Sequence, residues 1–199
     1  IRTNPEPIAR HCLQSLAAVS EDVATIVESL ALADRVQTRR RAEGWSRQFK
    51  IEIPVFELSR LSDPLVHNAL TEAAEFLTGD SWQIEFVPRS GTPLNAQYLP
   101  LVEETPRFVI PFSDGLDSFA QSRLLTAEHG DAAVWEVRAG KLQNGSNRPG
   151  RPLLEVPRGF RAGHPRERTY RTRPIVYFSI AAIAAATSKA EAVVIGENG

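Results

Sequence analysis

The stretch Arg107-Phe-Val-Ile-Pro-Phe-Ser-Asp-Gly-Leu-Asp-Ser-Phe-Ala-Gln-Ser-Arg-Leu-Leu125 reads as a strand, a short polar loop and the opening of a helix. Phe108, Val109, Ile110 and Phe112 form the apolar run expected of a parallel strand covered on both faces. Ser113 to Ser118 make the loop. Phe119, Ala120, Leu124 and Leu125 predict the apolar stripe of an amphipathic helix, and Gly130 its stop. A loop of this kind aims backbone N–H groups and a helix N-terminus at an anion, most often a phosphate. Ser, Asp and Gly are also ordinary turn residues. The apolar strand before the loop and the helix after it favour the anion. A Walker A loop is excluded, because no Gly-Lys-Ser/Thr follows the glycine. A dinucleotide fingerprint is excluded too, because Gly-x-Gly-x-x-Gly is absent.

Towards the C-terminus, strand and helix patterns alternate. Residues 132–137 read as a strand, and Arg138 to Pro152, rich in Gly, Asn, Arg and Pro, as a mobile loop. Leu153 to Val156 is a short strand, and Arg158 to Arg171 is basic and irregular. Thr172 is placed to cap a long buried helix from Ile175 to about Lys189, with Pro174 in its first turn. Glu191 to Ile195 is a further strand. Residues 107–112, 132–137 and 191–195 are therefore expected as parallel strands of one α/β sheet, with helices near 118–129 and 173–189.

Residues 1–105 have another character. Val23, Ile26, Val27, Leu30 and Ala33 form a helical stripe, with Glu21 and Asp22 suited to its first turn. The Arg39-Arg40-Arg41 run reads as a solvated helix end. Phe49 to Phe56 and Trp82 to Val87 alternate like half-buried strands, and Pro54 marks an edge. Between them Asp63-Pro64 opens a helix that runs to Gly79. His67 on that helix is read as a packing or surface histidine. Residues 88–106, with Gly91, Pro93, Pro100 and Pro106, read as a connection. The expected organisation is an α+β extension over 1–105 and a nucleotide-binding unit over 106–199.

Composition narrows the class. The chain has 199 residues, 42% hydrophobic and 24% charged, with a net charge of −1. That balance gives no bulk electrostatic case for nucleic acid or a membrane. No apolar run is long enough to span a bilayer. The single cysteine, Cys12, excludes a disulfide framework within these residues and favours a reduced, cytoplasmic location. There is no methionine, and the chain ends where a strand reaches its C-terminal edge, so an incomplete chain is expected.

Ser113-Asp-Gly-Leu-Asp-Ser118 resembles the Ser-Gly-Gly-x-Asp-Ser signature of the PP-loop ATP pyrophosphatases. Tyr170-Arg-Thr-Arg-Pro-Ile-Val-Tyr-Phe-Ser-Ile-Ala-Ala-Ile-Ala-Ala185 and Ala192-Val-Val-Ile-Gly-Glu-Asn-Gly199 strengthen the match. Both resemble the QueC-like (7-cyano-7-deazaguanine synthase-like) family, and most closely its QatC-type members from anti-phage defence operons. The resemblance implies a Rossmann-like PP-loop (adenine nucleotide alpha hydrolase-like) sheet. It implies an ATP-dependent enzyme that adenylates a carboxylate of a 7-deazaguanine-type substrate for attack by a nitrogen nucleophile. Ser113, Asp114, Gly115, Leu116, Asp117 and Ser118 then correspond to the ATP-binding loop, with Asp117 as a Mg²⁺ ligand. Asp117, Ser118 and Arg173 take catalytic roles. Arg171, Arg173, Glu197 and Asn198 take substrate-binding roles. A partner protein from a defence operon is a further implication. Asp114 departs from the family's glycine and would repel phosphate unless turned away or bound to a cation. The family's four-cysteine zinc site has no counterpart here, so zinc is not assigned. Two alternatives stay open: a nucleotide-binding scaffold without catalysis, and a PP-loop ligase of another branch.

Overall fold

The computed structural model describes residues 2–3, 5–40, 44–94, 105–113, 115–140, 153–159, 166–167 and 169–196. Their order is β1 (Arg2–Thr3), α1 (Glu6–Cys12), α2 (Ala18–Val36), β2 (Gln48–Val55), α3 (Leu58–Leu61), α4 (Pro64–Thr78) and β3 (Ser81–Pro88). Then follow β4 (Phe108–Pro111), α5 (Leu116–His129), β5 (Val134–Ala139), β6 (Leu153–Val156), β7 (Arg158–Gly159), α6 (Arg173–Ser188) and β8 (Ala192–Val193). This is a mixed α/β chain, and its two larger sheets are parallel. Among the described residues no helix is long and apolar enough to cross a membrane. The chain forms two compact units. One holds residues 1–2, 18–93 and 159–176, and the other 3–17, 94–158 and 177–199. The division is thus not a single cut near residue 105. The first turn of α6 belongs to the first unit and the rest of that helix to the second.

In the first unit β2 and β3 pair in parallel along eight residues, Gln48 with Ser81 through Val55 with Pro88. Phe49, Ile53 and Val55 of β2 and Trp82 and Ile84 of β3 alternate into a core completed by Ile26, Leu30, Leu61 and Ala74. The period-2 pattern sets that register, because a one-residue slip would turn this apolar set outward. Helix α4 starts as read: the Asp63 carboxylate accepts the Leu65 N–H at 2.9 Å, and Gly79 ends it at φ 68°. α4 also closes the free edge of β3. Glu75 accepts the Trp82 N–H at 3.1 Å, and a ring nitrogen of His67 lies 2.9 Å from the Ile84 carbonyl. His67 is a packing histidine, edge-on to Phe86.

Polar burial in this unit differs from the expectation. Asp22 does not serve its own helix end. It is fully buried, and its two oxygens accept the N–H groups of Phe56 and Glu57, at the end of β2. Arg39 is not a solvated helix end, since its side chain is 2% exposed. It sits beside Arg47 over the carboxylates of Asp34 and Asp80. Arg47 uses all five of its N–H donors. Two go to the Asp80 carboxylate, one to Asp34 Oδ1, and two to the Asp34 and Gln37 carbonyls at the end of α2. The other Asp34 oxygen receives the N–H groups of Arg171 and Thr172 and the Thr172 hydroxyl, each at 3.2 Å. Thr172 was expected to cap α6 with its side chain, but its hydroxyl is given to Asp34. The Arg35 carbonyl accepts the N–H groups of Arg166 and Glu167 in turn.

The second unit holds a four-stranded parallel sheet in the order β6-β5-β4-β8. From β4 the chain adds β5 and then β6 on one side, and returns through α6 to place β8 on the other. Val109, Ile110, Val137 and Val156 are buried, as the apolar runs require. Boundaries shift from the expected ones. Asp131–Ala133 forms a 3-10 turn, so β5 begins two residues late and extends to Ala139, which was read as loop. β8 is cut short at Val193 because Pro111, level with Ile195 in that register, has no N–H to continue the ladder.

Helix α5 lies on β4 and β5 with a face other than the expected one. Its buried residues are Ser118 and Ser122, while Leu124 is 72% exposed. The Ser122 hydroxyl donates to Glu136, a carboxylate buried in mid-strand β5, and this bond turns the hydroxyl face inward. α6 buries Val176, Ile180, Ala181, Ile183, Ala184 and Ala185, as its alanine-rich sequence predicts. It ends with Lys189 at φ 60° and the Ala190 N–H bonded back to the Ala185 carbonyl at 2.9 Å. That is a Schellman-type end with a lysine where glycine is preferred. Left-handed geometry costs a non-glycine residue roughly 1 kcal/mol. Lys189→Gly is therefore expected to raise stability by up to about 1 kcal/mol, read as a higher midpoint in urea.

Candidate functional site

Strand β4 delivers Phe112 to the edge of the sheet. Its N–H donates to the Val137 carbonyl at 2.7 Å, and its ring is 1% exposed. The chain then turns at Ser113. The turn is latched by Ser118, five residues on and 8% exposed. The Ser118 hydroxyl donates to the Ser113 carbonyl at 2.7 Å and accepts the Ser113 N–H at 3.2 Å. A hydroxyl has one proton to give. With that proton on the carbonyl, the 3.1 Å contact between the two hydroxyls is donated by Ser113. Ser113 Oγ also accepts the Gly115 N–H at 3.2 Å. The hydroxyls thus organise the loop backbone.

Helix α5 begins at Leu116 with Gly115, which has no side chain to cap it, at its N-cap. The Phe119 N–H, 3.3 Å from the Gly115 carbonyl, reaches back to the cap, so the amides ahead of it head the helix. Asp117 is exposed in this first turn, where a carboxylate suits the helix dipole. Gly115 has φ −78°, which any residue adopts, but space beside it is tight. A Cβ there would lie 3.2 Å from Ser113 Oγ. Gly196, beyond β8, is pressed closer. A Cβ on it would be 3.1 Å from Gln121 Oε1 and 3.6 Å from the Asp117 carbonyl. The end of β8 therefore runs against the first turns of α5.

Sheet order gives this loop its setting. The strand order reverses between β4 and β8, and open parallel sheets bind ligands beyond the strand C-termini at such a reversal. Ser113, Gly115, Leu116, Asp117 and Ser118 are gathered there. Asp114, Glu197 and Asn198 lie outside the described residues. Arg171 and Arg173 belong to the first unit. Arg171 donates to the Thr78 carbonyl at 3.0 Å, at the end of α4, and stacks on Trp45 at 5.5 Å. Its guanidinium thus serves a helix C-terminus. Arg173 is exposed in the first turn of α6.

Sequence reading missed Pro111, Gly196 and Gln121 as neighbours of the loop. A proline inside an apolar run that otherwise reads as a central strand was the available signal. Among the described residues no group of three or more His, Cys, Asp and Glu side chains could hold a metal. Cys12 is buried, and burial pushes its thiol up to about 12, which suits a packing thiol. This chain matches no protein-family model, no curated protein and no solved structure.

Proposed function

We propose that the second unit is a Rossmann-like PP-loop domain and that the Ser113–Ser118 loop binds the phosphates of ATP. The observation that supports this most is the helix N-terminus that follows β4 directly at its C-terminal edge, beside the reversal in strand order. In this reading the α5 N-terminal amides hold the phosphates, and Ser113 Oγ holds the loop that presents them. Gly115 leaves room for a close approach. Asp117 carries Mg²⁺ together with phosphate oxygens; one or two protein carboxylates are the usual share for this ion. ATP supplies the activated leaving group. The reaction is adenylation of a carboxylate on a 7-deazaguanine-type substrate, followed by attack of a nitrogen nucleophile, in a QueC-like role in anti-phage defence. Positioning and charge stabilisation are the protein's share of such chemistry.

A second reading, a scaffold that holds nucleotide without turning it over, is favoured by one observation. The Ser118 hydroxyl is spent inside the loop. The deciding experiment measures ATP binding and pyrophosphate release with a deazaguanine carboxylate. Asp117→Asn removes an exposed carboxylate without disturbing the latch. It is expected to cut pyrophosphate release about tenfold or more at fixed Mg²⁺, with unchanged melting. ATP binding without pyrophosphate release would favour the scaffold, and absence of ATP binding would sink both readings.

A further inference from the structure

We infer that Pro111 is a positioning residue that parts β4 from β8 and so opens the crevice in which the ligand's phosphates are held. The inference rests on the nucleotide reading above. The sides of β4 are fixed by its hydrogen bonds. The Val109 carbonyl accepts the Val194 N–H at 3.0 Å, so Val109 faces β8. The Phe112 N–H goes to Val137, so Phe112 faces β5. Backbone groups alternate along a strand, and Pro111 therefore faces β8. In the register that pairs Phe108 with Ala192 and Val109 with Val193, the next ladder bond would run from residue 111 to the Val194 carbonyl. Proline has no N–H to give. The ladder ends there, two residues before Ser113.

The released chain does not continue alongside β4. Gly196 instead approaches α5, near Gln121 and the Asp117 carbonyl, where a Cβ would be crowded. Two residues thus act in sequence: Pro111, which has no N–H, ends the pairing, and Gly196, which has no Cβ, fits the path beside α5. The head of α5, which Gly196 approaches, follows the loop that leaves β4 where this pairing stops. Restoring an N–H at 111 lets β8 zip two residues further and draws Ile195 and Gly196 across the crevice.

The test compares Pro111→Val and Pro111→Ala with wild type, without and with ATP. Valine favours the strand, and alanine guards against a packing effect of the larger side chain. Without ligand, the new amide at residue 111 is expected to exchange at least about a hundredfold more slowly than an open one, with thermal stability kept or raised. ATP is expected to bind about tenfold or more weakly in both variants. A merely structural proline would not give stability and affinity moving in opposite directions. A freely exchanging amide, or a protected amide with wild-type ATP affinity, would overturn the assignment. If wild type itself binds no ATP, the nucleotide reading fails and the role at that site fails with it. The exchange measurement needs no ligand and decides separately whether Pro111 parts the strands.

Discussion

An Asp34→Ala chain is expected to lose about 3–5 kcal/mol of stability and to melt about 6–20 °C lower. Asp34 is fully buried, and its carboxylate meets two guanidinium groups, two backbone amides and a hydroxyl. Removing it takes one of the two carboxylates that Arg39 and Arg47 share, and leaves their guanidinium groups only that of Asp80. It also strips the acceptor from the turn that opens α6. An unpaired buried charge costs far more than the pair returns. Replacing Asp34, Asp80, Arg39 and Arg47 together by apolar residues of similar volume should therefore be milder than the single change. Chemical denaturation of both chains decides. An Asp34→Ala chain within about 1 kcal/mol of wild type would show that the cluster is dispensable.

The same cluster sets a pH dependence. Burial alone would raise the Asp80 carboxyl, but its bonds to Arg47 outweigh that and hold it below the usual range. For Glu167 burial again acts upward, and the N–H groups of Arg39 and Thr169 bring the carboxyl down to about 2. A depressed folded value means that the stabilisation is complete above the ordinary carboxylate range. It is lost as pH falls through the folded value. For Glu167 that loss runs from the ordinary 4.5 down to about 2.

On the nucleotide reading proposed above, Ser118→Ala is expected to lower turnover about a hundredfold; in any case it is expected to cost about 1–3 kcal/mol of stability. The change removes the proton given to the Ser113 carbonyl and the acceptor of the Ser113 N–H, both at a site that is barely exposed. The loop then no longer holds its amides in one direction, and preorganised donors are what such a site contributes. Ser118→Thr keeps the hydroxyl and should recover most of the loss. Turnover in the alanine variant equal to wild type would remove the latch from the site.

What could be read from residues alone was local. Phe108 to Phe112 announced a buried strand, and Asp63-Pro64 and Gly79 bounded a helix, because neighbours decide such features. What could not be read depended on distant partners. Arg39 looked solvated because the groups that bury it include Asp80 and Glu167, 41 and 128 residues away. The α5 face was misread because Leu124 and Leu125 outweigh Ser118 and Ser122 on any hydrophobic pattern. Only the Glu136 carboxylate across the sheet makes the hydroxyls the inward side. In the loop the residue types were legible, while the latch and the strand reversal beside it were not. Both are properties of the assembled sheet.

The first unit draws residues 159–176 into a body otherwise built from residues 18–93. During synthesis, then, the early segment leaves the ribosome before the turn that Asp34 caps exists. At about 5–20 residues per second, the interval from residue 93 to residue 172 lasts roughly 4–16 s. Through that time the amides of Arg171 and Thr172 are not there to share the carboxylate. The nascent unit must wait with its two arginines and two aspartates incompletely neutralised by backbone. A ribosome that pauses between these points leaves a half-built body open to chaperones, and a cut there yields one that never closes.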